Sequence, residues 1–176
     1  MKTYNVIGLM SGTSLDGLDL AYCHISKSFN QWGFTIEQTK SIDYTSGMKE
    51  KLKNSIFLSA DELLIFNNTY GKWLGEQVIA FIKEYDLQVD FIASHGHTTH
   101  HQPENGLTYQ IGSGQHLANE SGFKIVCDFR TNDVALGGQG APLVPIGDRL
   151  FFSNYDFCLN LGGISNISFE NEGKRI

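Results

Sequence analysis

The segment over residues 6–19 constrains this chain most, because an apolar run leads into a turn rich in Gly, Ser and Thr and a second apolar run follows. The pattern predicts two antiparallel strands joined by a turn. Gly12 and Gly17 allow backbone conformations that other residues resist, and successive N–H groups beside hydroxyls can surround an anion. Asp16 and Asp19 are suited to a cation that accompanies a phosphate. The segment is therefore either a phosphate-binding hairpin for a nucleotide or an ordinary hairpin with a hydroxyl-rich turn.

Two common nucleotide motifs do not fit this segment. A P-loop would need Gly-Lys-Ser or Gly-Lys-Thr after the turn, and a dinucleotide fingerprint would need Gly-x-Gly-x-x-Gly followed by a helix. Here the run after the turn has the pattern of a strand. A phosphate site at this turn would therefore belong to another class of nucleotide-binding protein.

The charge balance limits the partners that this chain can bind. With 13 Lys and Arg against 19 Asp and Glu, the formal net charge is −6 at pH 7. Non-specific nucleic-acid binding requires a basic surface, so the composition argues against a nucleic-acid partner. No apolar run reaches the length of a membrane span. The three scattered cysteines, Cys23, Cys127 and Cys158, predict buried, reduced thiols in a cytoplasmic protein without a signal peptide.

Hydrophobic spacing predicts an α/β fold. Strands over residues 4–9, 18–25 and 34–42 are expected to form an antiparallel meander with its third strand near an edge. A short helix is expected over 46–57. A capping box then begins a long core-packing helix. Its defining residues, the cap pair and the apolar positions at helical spacing, are Ser59, Glu62, Leu63, Phe66, Tyr70, Trp73, Leu74, Ile79, Phe81, Ile82 and Tyr85.

The second half of the chain predicts further strands and a fresh hairpin. Short strands are expected over 89–93, 108–111 and 124–127, a helix over 115–121 ended by Gly122, a Gly-rich loop over 137–142, and a hairpin built from 157–161 and 167–169. This order suggests a first domain over residues 1–150. Residues 151–176 are then the beginning of a second domain, since two strands alone do not make a stable one.

A cluster of four histidines offers a different chemistry. His95, His97, His100 and His101 follow the short strand at 89–93, and imidazole is a common zinc ligand. A metal-dependent hydrolase is therefore one hypothesis, although the cluster contains no Glu to act as a base. The alternative is a polar loop at a strand end that hydrogen-bonds a substrate or the backbone.

Asp128 and Arg130 follow another predicted strand, where open α/β sheets bind ligands. Arg130 is able to bind a carboxylate or phosphate through two N–H groups. The alternative is an ion pair with a neighbour. The loop over 137–142 either lets its backbone approach a ligand closely or serves as a flexible linker.

Four segments together closely resemble the anhydro-N-acetylmuramic acid kinases, in order and in spacing. They read GLMSGTSLDGLD from residue 8, SHGHT from residue 94, DFR…DVA…GGQGAPLVP from residue 128 and LNLGGISN from residue 159. The resemblance implies the superfamily of sugar kinases, actin and heat-shock chaperones, with a ribonuclease-H-like domain, that is, a mixed sheet flanked by helices. It also implies ATP-dependent phosphorylation of 1,6-anhydro-N-acetylmuramic acid to N-acetylmuramic acid 6-phosphate in cell-wall recycling, with Mg²⁺ accompanying ATP.

The resemblance also implies roles for individual residues. The sugar would contact His97, Thr98 and Arg130, and a second phosphate loop would contain Gly162 and Gly163. The ATP-binding loop would consist of Gly12, Thr13, Ser14, Leu15, Asp16, Gly17, Leu18 and Asp19.

This chain departs from the family pattern in two ways. Many relatives have Gln at the position of His97, and the general-base Asp of the family would lie beyond Ile176. We therefore expect a fragment with little or no activity alone, which self-associates or pairs with the remainder of its second domain. The alternatives are a sugar- or nucleotide-binding fragment without catalysis and the metal hydrolase.

Overall fold

The first three strands form the predicted antiparallel meander. In the computed structural model they are β1 (Lys2–Ser11), β2 (Gly17–Ser28) and β3 (Gln31–Asp43), with β2 paired to both neighbours. β3 lies at the edge of the sheet, as its polar sequence predicts. The structure describes residues 1–29, 31–161 and 165–175.

Two helices follow where the sequence predicts them. α1 (Ser46–Lys53) is continued by a short 3-10 helix over Ser55–Phe57, and α2 covers Ala60–Tyr85. The capping box is confirmed, because the Glu62 carboxylate accepts from the Ser59 N–H at 2.9 Å and the Ser59 hydroxyl accepts from the Glu62 N–H. This reciprocal pair satisfies two N–H groups that would otherwise lack partners, which fixes where α2 begins.

The fourth strand corrects the sequence prediction. β4 runs over Phe91–Gln102, so the prediction of a short strand ending before a His-rich loop is wrong. The strand continues past residue 93 because β1 pairs with it up to His97 and β5 pairs with it from His97 to Gln102. It lies parallel to β1 on one side, and its second half is antiparallel to β5 (Leu107–Ile111) on the other. The histidines are therefore held on a strand rather than on a loop.

The sheet is mixed, and this confirms the predicted fold class. Its order is β3-β2-β1-β4-β5, and β6 (Ile125–Val126) pairs in parallel with the first half of β4. α3 (Gly114–Ser121) ends at Gly122, whose φ of 77° is the predicted left-handed cap. The arrangement is that of an actin-like ATPase domain. β6 is shorter and more exposed than the buried strand predicted over 124–127.

The core lies between the sheet and the helices α1, α2 and α3. α2 contributes the largest fully buried side chains, including Phe81, which is 0% exposed, and Gly71 and Gly75 allow α3 and the turn before it to approach closely. The core side chains are Ile7, Leu9, Leu18, Leu20, Tyr22, Leu52, Tyr70, Leu74, Val78, Phe81, Ile92, Ile111 and Leu117.

The last part of the described chain forms a second, smaller sheet. After α4 (Thr131–Ala135) and α5 (Leu143–Phe151), the strands β7 (Phe157–Asn160), β8 (Asn166–Asn171) and β9 (Lys174–Arg175) pair in that order. The predicted hairpin is confirmed by the antiparallel pairing of β7 and β8. The Ser168 hydroxyl donates to the Asp148 carboxylate of α5 at 2.5 Å, which attaches this sheet to the helix.

The cysteines are unpaired but not buried. Cys127 is exposed, and Cys23 and Cys158 are half-buried, so the prediction of buried thiols is wrong. Cys127 lies just after β6 at the open end of that strand, which explains its exposure. Among the described residues, no helix is both long enough and apolar enough to cross a membrane.

Candidate ligand-binding site

The turn between β1 and β2 presents polar groups to solvent. Thr13, Ser14 and Asp16 are exposed, whereas Leu18 lies in the core. The Asp16 carboxylate accepts from the Ser14 hydroxyl at 2.8 Å and from the Gly17 N–H at 3.1 Å. The hydrogen bond from Ser14, more than any other contact, lowers the pKa of Asp16. The turn therefore combines hydroxyl groups with a carboxylate that stays ionised, which suits a phosphate and its accompanying cation.

The backbone of this turn differs from the expectation based on its glycines. The left-handed conformation belongs to Leu15, with φ of 59°, and Gly12 and Gly17 do not adopt it. Gly17 is required for a different reason, because a Cβ there would lie 2.7 Å from the Ile42 carbonyl oxygen of β3. The glycine thus permits close strand pairing rather than an unusual φ.

Ser11, the last residue of β1, joins the turn to β4. Its hydroxyl lies 3.0 Å from His97 Nδ1, 2.7 Å from the Tyr44 hydroxyl and 3.0 Å from the Tyr70 hydroxyl. The two tyrosine hydroxyls are 2.9 Å apart. A hydroxyl has one proton to donate and two lone pairs that accept, so the consistent arrangement has Tyr44 and Tyr70 both donating to Ser11 and Ser11 donating to His97. The predicted sugar residue His97 is thereby fixed beside the predicted ATP-binding loop.

His97 is held in its neutral form. It is 3% exposed, and burial, with a smaller effect from His95, lowers its pKa to about 4. A neutral ring is what the Ser11 hydrogen bond requires, because Nδ1 must keep a lone pair to accept. His97 is therefore an uncharged hydrogen-bonding group at neutral pH.

We expect this buried ring to make stability depend on pH. The pKa of His97 is about 4 in the folded chain and about 6.5 when unfolded, so the unfolded chain binds the extra proton as pH falls. The contribution of neutral His97 to the free energy of unfolding is therefore fully present above pH ~6.5, and it decreases by up to about 3 kcal/mol as the pH falls towards ~4. Chemical denaturation at pH 7 and pH 4 should show this loss reduced in His97→Gln, which keeps a hydrogen-bonding side chain that does not titrate. An equal loss in both proteins would contradict the prediction.

Arg130 organises the other side of the site. It lies at the start of α4, and its guanidinium donates to His95 Nε2 at 2.8 Å and to the Gly140 carbonyl at 2.5 Å. Asp133 accepts from the Gly140 N–H at 2.7 Å. The loop over 137–142 is therefore fixed through both backbone groups of Gly140 and is not a free linker.

His95 serves as the acceptor in this arrangement. Arg130 has only donors, so His95 Nε2 must be unprotonated, and its Nδ1 then donates to the Gly96 carbonyl at 2.9 Å. Burial, and also the charge of Arg130, lower the pKa of His95. Burial likewise lowers the pKa of Arg130, but a guanidinium remains charged at any physiological pH.

Three histidines of the cluster each contact a different residue instead of converging on one point. His95 contacts Arg130, His97 contacts Ser11, and His101 Nδ1 lies 3.1 Å from the Thr108 hydroxyl. Within residues 1–29, 31–161 and 165–175, no three His, Cys, Asp or Glu side chains are placed to hold a metal ion. This arrangement gives the metal-hydrolase hypothesis no support from geometry.

The remaining predicted site residues have different outcomes. Thr98 lies on β4, half-buried, opposite Gln110 of β5. Gly162 and Gly163, the predicted second phosphate loop, lie outside the described residues. Sequence reasoning missed the hydroxyls of Tyr44 and Tyr70. Tyr70 lies at an apolar helical position, where a tyrosine cannot be distinguished from a core aromatic, and Tyr44 lies in the short connection between β3 and α1.

Comparisons with known proteins agree with one another. The profile of the family described as anhydro-N-acetylmuramic acid kinase matches residues 4–175. Similar proteins of that name include one from Pseudoalteromonas atlantica, 37% identical over 93% of this chain and 45% of the relative. One from Gloeobacter violaceus is 37% identical over 95% and 48%, and one from Pseudomonas putida is 35% identical over 97% and 48%. The chain spans about half the length of these relatives.

Proposed function

Because this chain belongs to the anhydro-N-acetylmuramic acid kinase family, we propose that it supplies the ATP-binding turn and part of the sugar site of such a kinase. The observation that carries the proposal is the Ser11–His97 hydrogen bond of 3.0 Å. It joins the end of β1, where the phosphate turn begins, to the strand that carries the predicted sugar residues. A phosphoryl group and its acceptor must be held side by side, and this contact links their two binding elements.

The proposed reaction uses ATP, water and 1,6-anhydro-N-acetylmuramic acid. Water attacks the anomeric carbon, the bond from that carbon to O6 breaks, and O6 takes the γ-phosphoryl group of ATP. The products are N-acetylmuramic acid 6-phosphate and ADP, as cell-wall recycling would require. When bound with ATP, Mg²⁺ would neutralise phosphate charge and accept the Asp16 carboxylate as a ligand.

The residues of this chain have binding and positioning roles in that reaction. The N–H and hydroxyl groups of the turn over 12–19 receive the phosphates. His97, Thr98 and Arg130 line the sugar side, and Arg130 also fixes the loop over 137–142. The general base and most nucleoside contacts would come from a partner segment with the chemistry of the relatives' second half.

An exposed apolar surface supports such a partner segment. α5 and the hairpin β7–β8 expose several large apolar side chains, and contiguous apolar patches mark interaction surfaces. They include Leu143, Val144, Ile146, Leu150, Phe157, Leu159, Leu161 and Ile167. We propose that residues 1–150 act as one domain, that residues 151–176 begin a second, and that this surface pairs with its remainder or with another copy. We place the protein in the cytoplasm on account of its unpaired thiols.

A phosphorylation assay tests this function. The chain would be assayed with ATP, Mg²⁺ and 1,6-anhydro-N-acetylmuramic acid, alone and mixed with the separately expressed second half of the Gloeobacter violaceus relative. We expect turnover only in the mixture. In Asp16→Asn the rate should fall by about 10²-fold, because the turn then has no carboxylate to bind the cation that accompanies the phosphates. Glu76→Gln, which changes an exposed carboxylate on α2, is the matched control. An inactive mixture that still binds sugar or ATP would favour the non-catalytic alternative.

A further inference from the structure

A cavity beside the sugar residues contains polar atoms without partners. It has a volume of ≈ 320 Å³ and lies between the middle of β4, the end of β5 and the turn that begins α3. Ser94 and Gln110 both line it. Among the described residues, the Ser94 hydroxyl and the Gln110 side-chain oxygen are the buried side-chain polar atoms without a hydrogen-bond partner. Ser94 is 1% exposed, so this hydroxyl is almost fully removed from bulk water.

Unpaired polar atoms in a cavity indicate the kind of group that it accepts. Buried polar groups without partners are rare and costly. The Gln110 side-chain oxygen is an amide carbonyl and can only accept a hydrogen bond; the nitrogen of the same amide donates to the Thr108 hydroxyl at 2.8 Å. The Ser94 hydroxyl is able to donate. When the Ser94 hydroxyl donates, a ligand group with one donor and one acceptor pairs both atoms.

The charges around the cavity disfavour an anionic ligand group. Asp128 is the charged residue among those that line it, and His95 is neutral because Arg130 donates to its Nε2. The Arg130 guanidinium is occupied by His95 and Gly140. An anionic group would meet a carboxylate with no cation to balance it. The cavity therefore does not suit an anionic group, and a neutral polar group fits it.

We infer that this cavity is the subsite for the acetamido group of the sugar. An acetamido group is uncharged, has one N–H donor for the Gln110 oxygen and one carbonyl acceptor for the Ser94 hydroxyl, and ends in a methyl group that the Tyr109 ring and the Cys127 side chain can receive. The inference rests on the proposed function, because it takes the N-acetyl sugar as the ligand. It makes Ser94 and Gln110 determinants of specificity for the N-acetyl group.

The backbone between the two residues keeps the cavity open. Gly96 has φ of 69°, and a Cβ there would lie 2.6 Å from the Ile111 carbonyl oxygen and 3.4 Å from Gln110 Cβ. This glycine lets β5 approach β4 closely enough to bring Gln110 to the same cavity as Ser94. The residues His97 and Thr98 follow along β4, so the strand that lines the subsite also carries two of the residues proposed for the sugar side.

Two sugars that differ at one carbon test the inference. 1,6-Anhydro-N-acetylglucosamine has an acetamido group where 1,6-anhydroglucose has a hydroxyl. In ¹H–¹⁵N NMR titrations of the 176-residue chain, we expect the first sugar to shift the backbone amides of Ser94 and Gln110 and to bind about tenfold or more tightly than the second. Ser94→Ala and Gln110→Leu should bring the two affinities within about threefold, without changing the affinity for 1,6-anhydroglucose. Ser28→Ala, at the exposed end of β2, is the matched control.

The outcomes separate this inference from the proposed function. Ser94→Ala removes a hydroxyl that has no partner in the protein, so a purely structural role predicts no change in sugar preference. If Ser94→Ala discriminates as well as the parent chain, or if neither sugar shifts the two amides because only water fills the cavity, the inference is overturned even when the phosphorylation assay succeeds. If the acetamido sugar binds there but the assay shows no phosphorylation, the subsite stands and the kinase proposal falls.

Discussion

Replacing Phe81 with alanine is expected to lower the free energy of unfolding by about 3–5 kcal/mol. Phe81 is 0% exposed and packs in the core that α2 shares with the sheet. The substitution removes the transfer free energy of the ring and leaves a cavity that surrounding side chains only partly fill. Because small domains are stable by about 5–15 kcal/mol, this loss is a large part of the total. Urea denaturation followed by circular dichroism measures it.

The matched control is Phe57→Ala. Phe57 lies in the 3-10 helix before α2 and is 82% exposed, so its removal should change the free energy of unfolding by less than about 0.5 kcal/mol. Similar losses for the two variants would show that α2 is not packed on the sheet as described.

Arg130→Met should reduce phosphorylation of the anhydro sugar by about 10²-fold in the complemented kinase, because the sugar side of the site loses its positioning. Methionine keeps a long apolar stem but no N–H groups, so His95 Nε2 and the Gly140 carbonyl both lose their donor. Arg130→Lys should not restore activity, since one ammonium lacks the planar fork that reaches both acceptors.

A second readout is independent of turnover. The charge of Arg130 contributes to lowering the pKa of His95, so an NMR titration of the chain alone should show a higher His95 pKa in Arg130→Met. Arg149→Met, which removes an exposed arginine on α5, should leave the His95 pKa unchanged. An unchanged His95 pKa in Arg130→Met would contradict the arrangement described for this pair.

Local chemistry was sufficient to predict much of the fold. The β1–β2 hairpin, the capping box at Ser59 and the glycine cap at Gly122 each depend on residues close in sequence, and all three are confirmed. β4 was predicted too short because polar His and Thr residues do not by themselves indicate a strand. Its length comes from hydrogen bonds to β1 and β5, which are distant in sequence.

In the site, too, features that depend on residues close in sequence were predictable, and features that depend on distant contacts were not. Its turn, His97 and Arg130 were identifiable as candidates from motif chemistry. The links between them were not, because the hydrogen bonds of Ser11 to Tyr44 and Tyr70 and of Arg130 to His95 are formed only by tertiary packing. The composition of the turn also did not predict that Leu15, rather than Gly12 or Gly17, adopts the left-handed backbone conformation.

The position of β4 also governs the order in which this chain can fold. Both parallel pairings of the described sheet involve β4, and its contact with β1 joins Val6 to Phe91 across the whole of the meander, α1 and α2. Closing so long a loop costs entropy before any contact repays it, whereas β1, β2 and β3 pair through short turns. We therefore expect the meander to form early and the docking of β4 to follow it. Since β4 carries His95 and His97, the ligand-binding site is assembled only as that step is completed.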